Sequence, residues 1–120
     1  MKVAIPTSGS DLQGSVGAQF GRADKIMVVD SVTLELTIIE NTKNLNASQG
    51  AGIQTAQKVS ESGAEWLLTG HCGPKAFRVL AAAGIQVAVG VTGTIAEVMK
   101  RFAAGKFQAA ETADVEGHWA

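Results

Sequence analysis

The sequence predicts an α/β domain built on a mixed five-stranded sheet flanked by about three helices. Three observations predict it. Short apolar, β-branched runs alternate with segments whose apolar residues recur at helical spacing. Two of those runs are separated only by Ser31, Val32 and Thr33, which implies an antiparallel hairpin. Downstream, strand and helix patterns strictly alternate, which makes the later strands parallel and their crossovers right-handed.

Each element follows in order. Val3 to Ile5 reads as a short buried strand that Pro6 closes, since proline cannot donate to a ladder. Thr7 to Gly21 carries Gly9, Gly14, Gly17 and Gly21 among small polar residues and reads as a loop. Lys25 to Asp30 and Leu34 to Glu40 form the hairpin, and Asn41 to Gly52 is a second polar loop. Ile53, Ala56 and Val59 mark the first helix, which stops near Gly63. Glu65 to Thr69 is a buried strand, and Gly70 to Gly73 a turn.

Pro74 suits the first position of the next helix, where its missing N–H costs nothing. Phe77, Leu80 and Ala81 give that helix its inward face, and Gly84 ends it. Ile85 to Val89 is the last strand. Thr94 and Glu97 have the spacing of a capping box, ahead of an Ile95, Val98, Met99, Phe102 stripe that Gly105 terminates. Met27 and Met99 fall on core faces. Residues 1–108 are expected to form a single domain, and 109–120 a flexible C-terminal tail.

Composition narrows the function. Hydrophobic residues make up 46% of the 120 and charged residues 18%, a globular balance. A formal net charge of −1 with no basic stripe argues against nucleic acid as a partner. Cys72 is the only cysteine, so no intrachain disulfide is possible and a reducing compartment is expected. The chain opens directly into a strand-like run and contains no apolar stretch of roughly 20 residues. A cytoplasmic protein without membrane contact is expected, either a monomer or a weak dimer.

Ligands of such sheets bind outside the carboxyl ends of the parallel strands, where loops meet helix amino termini. Those ends are Thr7 to Gly21, Gly70 to Pro74 and Gly90 to Thr94, all glycine-rich. The candidate binding residues are therefore Phe20, Gly21 and Arg22 in the first loop, His71, Cys72, Gly73 and Lys75 in the second, and Gly93 and Thr94 in the third. Phe20 would anchor its loop in the core and leave Arg22 for an anion, unless Arg22 simply pairs with Asp24 on the surface. Ser48 to Gly52 has similar anion-site chemistry at the first helix start.

His71 and Cys72 are the candidate metal ligands, although one of each cannot close a zinc site, and Cys72 could instead be a small buried filler. Cys72 and Arg78 also stand in the C-x5-R spacing of cysteine-dependent phosphatases. Against that reading, Pro74 removes one cradle N–H, and Arg78 would sit a full turn inside the helix, facing solvent. The element order is that of ribonuclease-H-like folds. Metal-dependent nucleases of that fold need converging carboxylates. The run Lys2 to Pro6 holds no acid, and Asp24, Asp30 and Glu40 are scattered over the hairpin, so nuclease activity is not expected. His118 and Trp119 are assigned no role.

Ser15-Val16-Gly17-Ala18-Gln19-Phe20-Gly21-Arg22-Ala23 resembles the Phe-Gly-Arg loop after the first strand of the dinitrogenase iron–molybdenum cofactor biosynthesis family. Gly70-His71-Cys72-Gly73-Pro74-Lys75-Ala76-Phe77, with Leu80, Ala83-Gly84-Ile85 and Val87 following, is similar to its second signature. The resemblance spans roughly residues 1–107 and is closest to the small orange-protein branch of sulfate-reducing bacteria. It implies a ribonuclease-H-like fold without enzymatic activity, carrying a molybdenum–copper sulfide cluster or an iron–molybdenum–sulfur precursor. A protein donor or acceptor of the cluster would then be a partner. Family members often carry a histidine where this chain has Gln19, which shifts interest to His71 and Cys72. A metal-free interaction or regulatory module on the same fold is the alternative.

Overall fold

The computed structural model describes residues 1–41 and 51–111. Strand β1 spans Lys2–Thr7, β2 Lys25–Asp30, β3 Leu36–Glu40, β4 Trp66–Leu68 and β5 Gln86–Ala88. Helix α1 spans Ala51–Glu61, α2 Pro74–Ala82 and α3 Ile95–Ala103. The sheet order is β3-β2-β1-β4-β5. β1, β2 and β3 pair antiparallel, while β1–β4 and β4–β5 are parallel, so the mixed five-stranded sheet is as expected.

Strand alternation sorts the side chains into two cores. Ala4, Ile26, Leu67 and Val87 face α1 and α2, packing with Ala56, Val59, Ala76 and Leu80. Val3, Ile5, Met27, Val29, Leu68 and Ala88 face α3, packing with Ile95, Val98 and Met99. Three layers result, with two helices on one face and one on the other. The carboxyl ends of β1, β4 and β5 emerge together.

Several boundaries differ from the sequence expectation. Pro6 does not close β1 but lies inside it, paired with Ile26. Its carbonyl accepts from the Gly17 N–H at 2.6 Å. A strand residue points its N and O to the same edge, so the missing donor faces the first loop instead of the β2 ladder. β3 begins at Leu36 because Leu34 adopts a left-handed φ of 63°. The turn is fastened by Leu34 N–H to Asp30 O at 2.9 Å and Asp30 N–H to Glu35 O at 2.9 Å. The Asp30 carboxylate also accepts from Val32 and Thr33 N–H. Those bonds, that from Thr33 first, hold its pKa below the ordinary carboxylate value.

The chain remains bonded to the sheet beyond residue 108, since Ala110 N–H donates to Val87 O at 2.7 Å. The rest of the expected tail, including His118 and Trp119, lies outside the described residues.

The capping box at Thr94 forms as the spacing predicts. Thr94 Oγ1 accepts from Glu97 N–H, and Glu97 Oε1 accepts from Thr94 N–H at 2.9 Å. The Thr94 N–H, then its hydroxyl, lowers the Glu97 pKa. A folded pKa below the unfolded one contributes stability above the unfolded value and loses it as pH falls through the folded value. Thermal unfolding should therefore be flat from pH 7 to about 5 and decline on further acidification, less steeply in Glu97→Gln. At neutral pH, Thr94→Ala should cost about 1 kcal/mol in urea unfolding.

Candidate functional site

The first glycine-rich loop does not project from the sheet but folds back across the strand ends. Thr7 Oγ1 donates to Ser15 O at 2.8 Å and accepts from Gly9 N–H at 2.9 Å, turning the chain at its exit from β1. Gly9 and Gly14 then meet so closely that a Cβ on Gly9 would lie 2.7 Å from Gly14 Cα. The returning chain bonds to both other loops. Val16 N–H donates to Gly93 O at 2.9 Å, and Gly70 N–H to Gly17 O at 3.2 Å. Phe20 N–H donates to His71 O at 3.0 Å.

A short 3-10 turn, Phe20–Arg22, ends the loop. Sequence patterning gave no sign of it, because three residues carry no period. Phe20 is only 1% exposed and plugs the core beneath α1 and α2, while Arg22 stays on the surface. Arg22 has no ion-pair partner among the described residues, so the Asp24 pairing considered from sequence does not form.

The result is a cleft of about 270 Å³ lined by Thr7, Ser8, Gly17, Ala18, Gln19, Arg22 and Ala23. Of these, sequence reading singled out only Arg22 as a contact. Ser8 offers only a hydroxyl and Ala18 only a methyl, and the fold-back of the loop is what makes them walls. His71 is exposed beside the cleft, since Gln19 and His71 form an isolated parallel bridge. Gly21 is half-buried between Phe20 and Arg22.

A buried polar latch was also missed. Asn41, fully buried, donates from Nδ2 to Ala23 O at 2.8 Å and accepts from the Thr55 hydroxyl at 3.0 Å. It ties the cleft wall to α1. An Asn at the start of a polar loop gives no sequence signal of this.

The two helix ends at the site are not equivalent. At α3, Ile95 N–H donates to Gly14 O, Ala96 N–H to Leu12 O and Glu97 N–H to Thr94 Oγ1. The N–H donors at this helix start are thus taken up within the chain. At α2, Gly73 is the N-cap without a side-chain cap, and Pro74 occupies the first position. The N–H groups of Lys75 and Ala76 find no acceptor among the described residues, and the Lys75 side chain is exposed. This end attracts anions through the helix dipole.

Cys72 belongs to the core instead of the cleft. It is 2% exposed and packs in the cluster with Phe20, Ala76 and Leu80, its thiol 3.7 Å from Gly73 O. Among the described residues no group of three or more His, Cys, Asp or Glu side chains converges to hold a metal ion. Arg78 is exposed on α2, so a buried thiol and a solvent-facing guanidinium do not make a phosphatase cradle. Ser48 to Gly50 lie outside the described residues. No described helix is long and apolar enough to cross a membrane.

The sequence profile of the family described as "Dinitrogenase iron-molybdenum cofactor" matches residues 1–105. The chain belongs to this family. Within reach of it, the chain is 33% identical over 111 residues to the uncharacterized protein MJ0580 of Methanocaldococcus jannaschii, covering 90% of each. Among solved structures, the apo form of the orange protein from Desulfovibrio gigas superposes with a TM-score of 0.92 and 38% identity, over 95% of this chain and 96% of that one. The Thermotoga protein TM1290 gives 0.81 and 32%, over 97% and 98%. The family and the mixed α/β sheet expected from the sequence both hold. In this member of the iron-molybdenum cofactor family, the Phe20-Gly21-Arg22 loop and the Gly73-Pro74 helix start meet at one end of the sheet.

Proposed function

We propose that the protein is a non-enzymatic carrier of an anionic, molybdenum-containing metal–sulfur cluster, either a molybdenum–copper sulfide or a precursor of the iron–molybdenum cofactor. The observation that carries this reading is an exposed Arg22, with no ion-pair partner among the described residues, on a cleft beside the amino terminus of α2, which lacks a side-chain cap. A thiometallate is bulky, soft and negatively charged, and brings its own sulfide ligands. The absence of a metal-ligating cluster among the described residues therefore suits preassembled cargo better than a bare metal ion. Arg22 and Lys75 supply charge, and main-chain N–H groups supply directed donors. His71 is exposed at the rim, whereas Cys72 would have to leave the core to ligate. Family membership and the likeness to the orange protein support the same reading.

The test is reconstitution of metal-free protein with tetrathiomolybdate and copper, followed by gel filtration with visible spectroscopy and metal analysis. Colour, molybdenum and copper should co-elute with protein at a fixed ratio. Arg22→Ala should weaken retention about ten- to a hundredfold, the worth of one hydrogen bond to a charged group, and leave thermal unfolding unchanged. Protein that elutes colourless, and does so again with iron–sulfur–molybdenum precursors, would refute the proposal in favour of a metal-free interaction module.

A further inference from the structure

The two edges of the sheet are treated differently. β5 is covered by the chain itself, through the Ala110 N–H to Val87 O bond. β3 is not covered. Asp30 N–H donates to Glu35 O and Asn41 N–H to Asp24 O, so in the β2–β3 register Glu35, Thr37, Ile39 and Asn41 are the residues whose backbone faces β2. Leu36, Ile38 and Glu40 therefore point theirs outward. The Glu40 carbonyl is taken by Lys58 Nζ at 2.9 Å. Leu36 and Ile38 have no outer partner among the described residues.

Exposed strand edges usually carry a lysine, a proline or a bulge that prevents pairing. The run Leu36-Thr37-Ile38-Ile39 has none of these, and Leu36 is 37% exposed. Leu34 and Val32, at 45% and 82%, extend the apolar surface around the hairpin.

We propose that β3 pairs antiparallel with β3 of a second copy of this chain, joining two sheets about a two-fold axis. The register that uses only the free groups sets Leu36 of each copy against Ile38 of the other, completing four backbone hydrogen bonds. Ile38 packs against the α3-side core, so the joined Leu36 and Ile38 side chains prolong that core across the axis. On the opposite face, alternation places Glu35 beside Thr37 and Ile39, and Ile39 packs on the α1 side. Lys58 reaches over that same face from α1. In this register Glu35 of the second copy approaches Lys58, so the edge is matched to itself in charge as well as in backbone. A pairing this short buries less than the ~1,200 Å² of standard interfaces, and the dimer should be weak.

Sedimentation of the full chain without metal, from micromolar to millimolar concentration, tests the pairing independently of the cargo. The dimer fraction should rise with concentration. Leu36→Lys should keep the protein monomeric throughout while leaving its thermal unfolding intact. Lys58→Glu removes both symmetry-related ion pairs and should weaken association up to about 25-fold, about fivefold for each exposed pair, and Glu35→Lys added to it should restore association. A wild-type chain monomeric at millimolar concentration overturns the proposal. So does a dimer indifferent to Leu36→Lys, or a charge reversal that fails to restore it.

Discussion

Replacing Phe20 by alanine is expected to destabilise the protein by about 3–5 kcal/mol, the usual cost of deleting a buried aromatic ring. The upper half of that range applies here. The ring is 1% exposed, and much of the cluster around it consists of residues already at minimum size, Ala4, Ala23, Ala56 and Ala76. Small neighbours on fixed strands and helices cannot swell into the hole. A domain with 5–15 kcal/mol of total stability would lose a large share of it, with Tm falling by roughly 15 °C. Urea and thermal unfolding measure the loss directly. Phe20→Leu, which keeps most of the apolar volume, should recover more than half. Should the alanine variant lose less than about 1 kcal/mol, the ring is not what fastens the first loop to the core.

Gly70→Ala should be nearly as damaging, at about 3 kcal/mol, for a different reason. Gly70 does not adopt a left-handed φ, so its glycine requirement is one of space. An added Cβ would stand 2.5 Å from Ala18 O and 2.9 Å from Ala18 Cα. Those are backbone atoms, which cannot swing aside as a side-chain tip can. The substitution must push the first loop away from β4, breaking the Gly70–Gly17 and Phe20–His71 bonds that shape the cleft. Gly84→Ala is the natural comparison. Its φ of 78° is unfavourable for alanine, but nothing lies within 4 Å, so it should cost only about 1–2 kcal/mol. Cargo retention separates the two further, because Gly70→Ala should lose it and Gly84→Ala should keep it. Equal losses of stability and full retention in both variants would contradict the close-contact account.

The elements with a strong local signal were legible in the sequence. The Ile95, Val98, Met99 stripe behind Thr94 and Glu97 gives α3 with its cap, and Pro74 with Gly84 brackets α2, because period and punctuation reside in the residues themselves. Pro6 misled, since its effect on a strand depends on which edge its nitrogen faces, and Gly17 decides that from outside the strand. Leu34 misled for a related reason, as no propensity places leucine in a left-handed turn without the Asp30 bonds around it. At the cleft, Arg22 was foreseeable as a charge in a glycine loop. The latch at Asn41 and the consumed amino terminus of α3 were not, and the sequence left Cys72 open between metal ligand and buried filler. Each depends on a partner far along the chain, and spacing carries no information about such contacts.

The bonds from Leu12 and Gly14 to the start of α3 also bear on when the cleft can exist during synthesis. The loop that forms its wall is made early, but the groups that hold it belong to β4, α2 and α3, which leave the ribosome later. Contacts of such high sequence separation close late in folding. A nascent chain that has emitted only the hairpin carries the Phe-Gly-Arg segment with nothing to fix it. If the protein is the carrier proposed above, a chain cut before α3 should neither load nor hold cargo.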